Sequence, residues 1–328
     1  MRRALAAILI FLLVGLAPAT DQRLTKVDKS SQRITAIALD QPATATGMLR
    51  FVRGWRLESP NPVFGGFSAL AVTGPDRFQL ASDGGYGARL TLRTDGRVDD
   101  AHIALLPSPG RRADKKSATD FEAMTFDRTS GATWVALEGR NQVWRFDAAL
   151  TRVESRAALP KPRWPVNSGP EAMVRLADGR TLIFSEDADD DPRGRAALLS
   201  AGDPAVPGTR ATRFVYAAEG KGLVSDAAAL PDGRILLVHR TLGFRPVFTT
   251  TLAIVDPADI RPGGVIRSRA IGRVPAPLAE NYEGVAVEVR DGRTFLWLVS
   301  DDNFNSWQRS LLVEFELVGL PDSKKAAP

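Results

Sequence analysis

A strand pair bracketed by polar residues recurs five times along the chain, and this repeat constrains the fold more than any other feature. In each copy a small residue or an acid opens a short apolar strand, and the next strand closes on a second polar residue. The copies run from Gly65 to Asp83, Asp120 to Glu138, Gly169 to Asp187, Leu223 to Arg240 and Asn281 to Asp302. Aligning Ser68, Glu122, Glu171, Asp226 and Glu283 as openers gives intervals of 54, 49, 55 and 57 residues by subtraction. A period of that length with several strands per unit indicates a propeller blade. The predicted fold is all-β: a single closed β-propeller of five to six four-stranded blades.

Opener and closer are separated by enough chain for two antiparallel strands and a turn. The start of one strand therefore lies beside the end of the next. If the first strand of each unit lines the channel, Glu122, Glu171, Asp226 and Glu283 converge at one mouth with Asp83, Glu138, Glu186 and Asp301. The fourth copy ends in His239-Arg240 where the others have acids.

The chain opens on Arg2 and Arg3, then an apolar run from Ala4 to Leu16, then Ala17-Pro18-Ala19, which is the pattern of a cleavable secretory signal. That apolar run is shorter than a spanning helix needs. The expectation is cleavage after residue 19, export to the periplasm and no stable membrane insertion afterwards. With no cysteine, the chain forms neither disulfides nor thiolate metal sites. The net charge of +5 includes Arg2 and Arg3, and the remaining excess is spread out. No nucleic-acid-binding pattern accompanies it, so no nucleic-acid partner is expected.

After the signal, residues 20–46 form an N-terminal segment with an alternating stretch, Arg33 to Leu39, that reads as a strand. Residues 47–318 carry the propeller, and 319–328 a charged tail. Asp178-Gly179, Asp232-Gly233 and Asp291-Gly292 fall between first and second strands, marking tight hairpins in which both central residues need positive φ. The fifth unit offers only three strands. A strand from the N-terminal segment is expected to complete it, closing the ring into a monomer without exposed edges. Leu106 to Thr119 is a basic loop and Glu186 to Arg195 an acidic one.

Several spaced motifs together resemble one family. Phe64-Gly-Gly-Phe-Ser-Ala-Leu70, Asp120-Phe-Glu-Ala-Met124, Asn167-Ser-Gly-Pro-Glu-Ala-Met173, Tyr282-Glu-Gly-Val285 and Val299-Ser-Asp-Asp-Asn303 are similar to phytase-like propeller proteins described as having esterase-like activity. The resemblance covers roughly residues 60 to 318. It implies hydrolysis of a phosphoester or carboxylic ester of small-molecule size. The distinctive acidic motifs of well-studied propeller phytases are not evident.

A serine esterase would need a G-x-S-x-G elbow and an imidazole base. The segment around Ser68 lacks the second glycine, and His102 reads as an outer-strand residue. His239, at the mouth, is read either as a catalytic base or ligand or as a hydrogen-bonded core histidine. Oxygen ligands suit calcium, and crowded carboxylates call for a cation or for raised pKa values. The candidate metal ligands are Glu122, Glu171, Glu283, Asp301, Asn281 and Asn303. Glu171, Glu283 and His239 are candidate catalytic residues, and Arg140, Arg240 and Asn141 candidate substrate-binding residues. Asp83 and Glu138 read as blade-spacing acids. Two functions stay open: a calcium-assisted ester hydrolase, and a non-catalytic propeller that binds a ligand or partner through the same mouth.

Overall fold

The computed structural model describes residues 29–40, 45–108, 120–165, 168–187 and 191–320. Their strands form five sheets, each built on four antiparallel strands. The innermost strands are Phe67–Gly74, Phe121–Phe126, Pro170–Arg175, Leu223–Ala229 and Tyr282–Arg290. Each packs against the next, and the last returns to the first, so the ring is closed with five blades. A sixth, degenerate blade is absent among the described residues. No helix among them is long and apolar enough to cross a membrane. The signal-like stretch, residues 1–19, and residues 109–119 of the basic loop lie outside the described residues.

Small side chains let the innermost strands approach. Ala69, Ala123 and Ala172 are fully buried. At Gly284 a Cβ would lie 2.6 Å from Val299 Cγ1 and 2.9 Å from the Leu70 nitrogen, so the contact between blades 5 and 1 admits only glycine. Larger groups fill the wedges further out. Between the same two blades Trp297 stacks on Trp55 at 6.2 Å and meets Phe78 edge-on at 4.7 Å.

The fourth strand of blade 5 is Leu49–Glu58, which runs antiparallel to Leu311–Leu317. It lies just beyond the 20–46 segment expected to donate it. Thr35–Ala38 of that segment pairs instead on the outer side of Leu49–Glu58, as a further strand. The closure is tied by charge as well as by backbone: Arg53 Nε donates to Glu314 Oε2 at 2.5 Å, and Arg50 pairs with Glu316. Glu314 has no exposed surface, and burial pushes its carboxyl upward against the pull of Arg53 and Arg290.

The Asp-Gly hairpins follow two geometries. Only at Asp291-Gly292 do both residues take positive φ, 49° and 71°. At Gly179 and Gly233 the glycine alone does, and the preceding aspartate accepts the backbone N–H two residues on. These two turns are therefore longer loops with a glycine at the left-handed position rather than two-residue hairpins.

Candidate functional site

Every innermost strand carries a β-bulge at its entrance, and the bulge decides which side chain faces the mouth. Pairing with the second strand skips one residue in each blade: Ser68, Glu122, Glu171, Ser225 and Glu283. A bulge re-aims the side chain it displaces. The mouth ring is therefore three glutamates and two serines. Asp226 was the expected fourth opener, but Ser225 holds that position. The Asp226 carboxylate instead accepts the N–H groups of Ala227 and Val285, both at 2.7 Å, and joins blade 4 to blade 5. The two serines act alike. Ser68 donates to the Phe121 carbonyl and Ser225 to the Tyr282 carbonyl at 3.0 Å, each reaching the residue just before the next blade's glutamate.

At this level the next residue along each second strand or just past its end is Asp83, Glu138, Glu186, Arg240 and Asp301, Arg240 alone lying within its strand. Arg240 is thus a guanidinium in a ring otherwise made of acids. It donates to Glu186 Oε1 and Asn281 Oδ1, each at 2.8 Å, and to Glu283. Burial works against its charge, but Glu283 and then Glu186 outweigh that and raise its pKa. Asn281 also donates to Glu283 Oε1 at 2.8 Å and to Asp301 Oδ2 at 3.3 Å.

The six expected metal ligands therefore divide. Glu283, Asp301 and Asn281 belong to the network around Arg240. Asn303 is exposed, and its backbone N–H donates to Asp301 Oδ1 at 2.6 Å. Glu122 and Glu171 lie on the other side, where Asp120, Glu122 and Glu138 bring carboxylate oxygens within 4.8 Å of one another. Glu171 is buried, and its Oε2 has no hydrogen-bond partner. Burial raises the Glu122 carboxyl well above its ordinary range, with Glu171 and Asp120 adding repulsion. Burial does the same to Glu171, with Glu186 and Glu283 adding to it. A hard divalent cation suits these oxygen donors and would relieve their repulsion.

Glu138, read from sequence as a spacer, has both roles: it belongs to this cluster and also accepts the Gly169 N–H at 3.1 Å. Asp120 was visible in the Asp120-Phe-Glu motif but was not assigned a role. The other proposed residues have partners of their own. His239 is buried with Nε2 2.6 Å from the Tyr216 hydroxyl, which lies 2.6 Å from Ser268 Oγ. Burial holds its pKa down at about 4. Adjacent residues of a strand face opposite ways, so Arg240 at the mouth sends His239 into the sheet packing. Asn141 spends its amide on the backbone of Trp164, donating at 3.1 Å and accepting at 3.0 Å. The Arg140 guanidinium lies 5.2 Å from the Trp144 ring centre.

Beside the Arg240 half of the mouth, between blades 3, 4 and 5, opens a cleft of about 810 Å³. Glu186, Arg240, Asn281 and Asn303 form part of its wall, together with Phe248 and Trp307.

Solved structures with distant likeness include a gluconolactonase of Xanthomonas campestris, 12% identical with a TM-score of 0.45, covering 85% of this chain and 97% of that one. A glutaminyl cyclase of Myxococcus xanthus is 12% identical with a TM-score of 0.47, covering 85% and 100%. Hydrazine synthase of Kuenenia stuttgartiensis is 12% identical with a TM-score of 0.40; the match covers 74% of this chain and 58% of that one. No curated protein matches the chain in sequence. The family model described as "Phytase-like: Esterase-like activity of phytase" matches residues 62–304, which span all five innermost strands and both halves of the mouth, and the chain belongs to that family.

Proposed function

We propose that this protein is an ester hydrolase whose reaction takes place at the carboxylate mouth with the help of a divalent cation, calcium by the character of the donors. The single observation that carries this is the meeting of the Asp120, Glu122 and Glu138 carboxylates within 4.8 Å of one another, with the buried Glu171, whose Oε2 has no hydrogen-bond partner, close enough to add its repulsion to Glu122. Those four residues would hold the ion, which would supply Lewis acidity toward an ester oxygen. The remaining work falls to the chain itself. Glu171, whose carboxyl burial raises well above the ordinary carboxylate range, is suited to take a proton from an attacking water. The water oxygen bonds to the acyl carbon or phosphorus, the ester bond breaks, and the alcohol leaves with a proton. Arg240 fixes Glu186 and Glu283 in place and offsets part of the negative charge that would repel an approaching ester.

Turnover of p-nitrophenyl acetate and p-nitrophenyl phosphate by the purified protein, with and without chelator, tests this. Hydrolysis of either that is lost with chelator and regained with calcium supports it. Absence of turnover across a wider ester panel, with ligand-induced thermal stabilisation retained, would instead make the protein a non-catalytic binding propeller. We further propose an exported, periplasmic monomer that starts near Thr20. Mass spectrometry showing an intact Met1 terminus on membrane-pelleted protein would overturn the export proposal.

A further inference from the structure

The cleft beside Arg240 is built differently from the mouth it adjoins. Three arginines line it, and each is already committed. Arg193 pairs with Asp191, Arg195 with Asp187, and Arg240 with Glu186 and Glu283. Each of these guanidiniums already faces a carboxylate, and that negative charge weakens its pull on a polyanion such as a highly phosphorylated substrate.

The apolar wall offers an alternative. Trp307, from the loop Asp301–Ser310 of blade 5, lies parallel to Phe248 of blade 4, with ring centres 6.2 Å apart and an interplanar angle of 6°. Phe248 is buried and backs the indole on one side, while Trp307 remains 49% exposed. Leu242, the cross-strand partner of Phe248, is 47% exposed and Val247 37% exposed on the same hairpin of blade 4. An apolar side chain gains nothing by facing water, and several gathered at the rim of one concave site mark a place for an apolar ligand group. An indole held flat by a ring behind it is a platform for a second flat ring.

We propose that this cleft is the subsite for the aryl group of a neutral or singly charged ester, stacked on Trp307, with its ester end directed past Arg240 toward the carboxylates. The aryl subsite rests on the hydrolytic reading only for the direction of the ester end; the binding of the ring stands separately. 2-Naphthol, the alcohol product of naphthyl esters, tests it as a probe that needs neither turnover nor metal. Its fluorescence is titrated with the full mature protein in EDTA. Saturable binding to wild type is expected, at least fivefold weaker in Trp307→Ala and restored by Trp307→Phe. Leu242→Ser, beside Phe248 on the same hairpin, gives a second variant and should weaken binding by a smaller factor.

Absence of saturable binding to wild type, or equal affinity in wild type, Trp307→Ala and Leu242→Ser, overturns the subsite. The two ideas fail separately. Naphthol binding without hydrolysis of naphthyl acetate leaves the subsite standing and removes the enzymatic reading. Hydrolysis of naphthyl acetate with a KM unchanged in Trp307→Ala does the reverse.

Discussion

Arg240 occupies in blade 4 the position that Glu186 occupies in blade 3, and its Nη2 reaches back to Glu186 Oε1 at 2.8 Å. One basic residue in a repeated acidic position thereby divides the mouth. On one side a guanidinium pairs with both Glu186 and Glu283. On the other, the Asp120, Glu122 and Glu138 carboxylates gather within 4.8 Å of one another, with the buried Glu171 adding its repulsion to Glu122, and a cation there would offset their charge.

Replacing Arg240 with glutamine should therefore destabilise the metal-free protein. Its side chain is largely buried, and removing one partner of a buried ion pair costs about 3 to 5 kcal/mol. Calcium should recover more stability in Arg240→Gln than in wild type, because Glu186 and Glu283 join the carboxylates in need of a counter-ion. Urea melts with and without calcium measure both effects. Equal metal-free stability in variant and wild type would show that the guanidinium is not needed to balance the ring.

The raised carboxyls of Glu122 and Glu171 set a pH dependence of opposite sign to that of ordinary surface acids. In the folded, metal-free protein these groups retain protons that the unfolded chain has released above about pH 4.5. Stability without metal should therefore fall as pH rises from there. Calcium should flatten that slope, and so should Glu122→Gln. A metal-free stability that instead rose with pH across this window, in wild type and Glu122→Gln alike, would contradict the shifts.

His239 acts in the other direction. Its pKa is held at about 4 against an unfolded value of 6.5, so the neutral ring in the fold contributes stability that is lost as pH falls from 6.5 through 4. The difference of about 2.5 units corresponds to about 3 kcal/mol, as an order of magnitude. His239→Gln should lack this component, so its stability relative to wild type should improve as pH falls from 7 to 4. Urea melts at several pH values give the difference directly, and parallel curves for the two proteins would rule it out.

The closing blade yields a further expectation. Ile34 is buried against the cluster of Trp55 and Trp297, and Gln32 exchanges hydrogen bonds with the Ile103 backbone. Removing residues 20–40 should cost about 2 kcal/mol from Ile34 alone while leaving the ring closed by Leu49–Glu58. An unchanged melting temperature would show that the outer strand adds nothing, and failure to fold would show that it is part of the closure.

The fivefold repeat made the propeller legible because strand length, turns and period all reflect local chemistry. The alignment of Asp226 failed for an equally local reason. A bulge adds one residue to the period-two pattern, and Val224-Ser-Asp226 offers two adjacent polar residues, only one of which can take the displaced position. The division of the acids was not legible at all. Arg240 meets Glu186 and Glu283 across 54 and 43 residues of chain, in distances that only blade packing sets. Glu138 looked like a spacer because it is one; nothing in its immediate sequence tells that Asp120 and Glu122 fold up beside it. Trp307 and Phe248 lie outside the repeated strand pair, so the repeat drew no attention to them.

Calcium titration of the metal-free protein by calorimetry tests the cation site most directly. Saturable binding of one ion to wild type is predicted, with Glu171→Gln at least about tenfold weaker and so losing about 1.4 kcal/mol of calcium-linked stabilisation. No saturable heat in wild type, or the same affinity in wild type and Glu171→Gln, would contradict a cation held at this mouth.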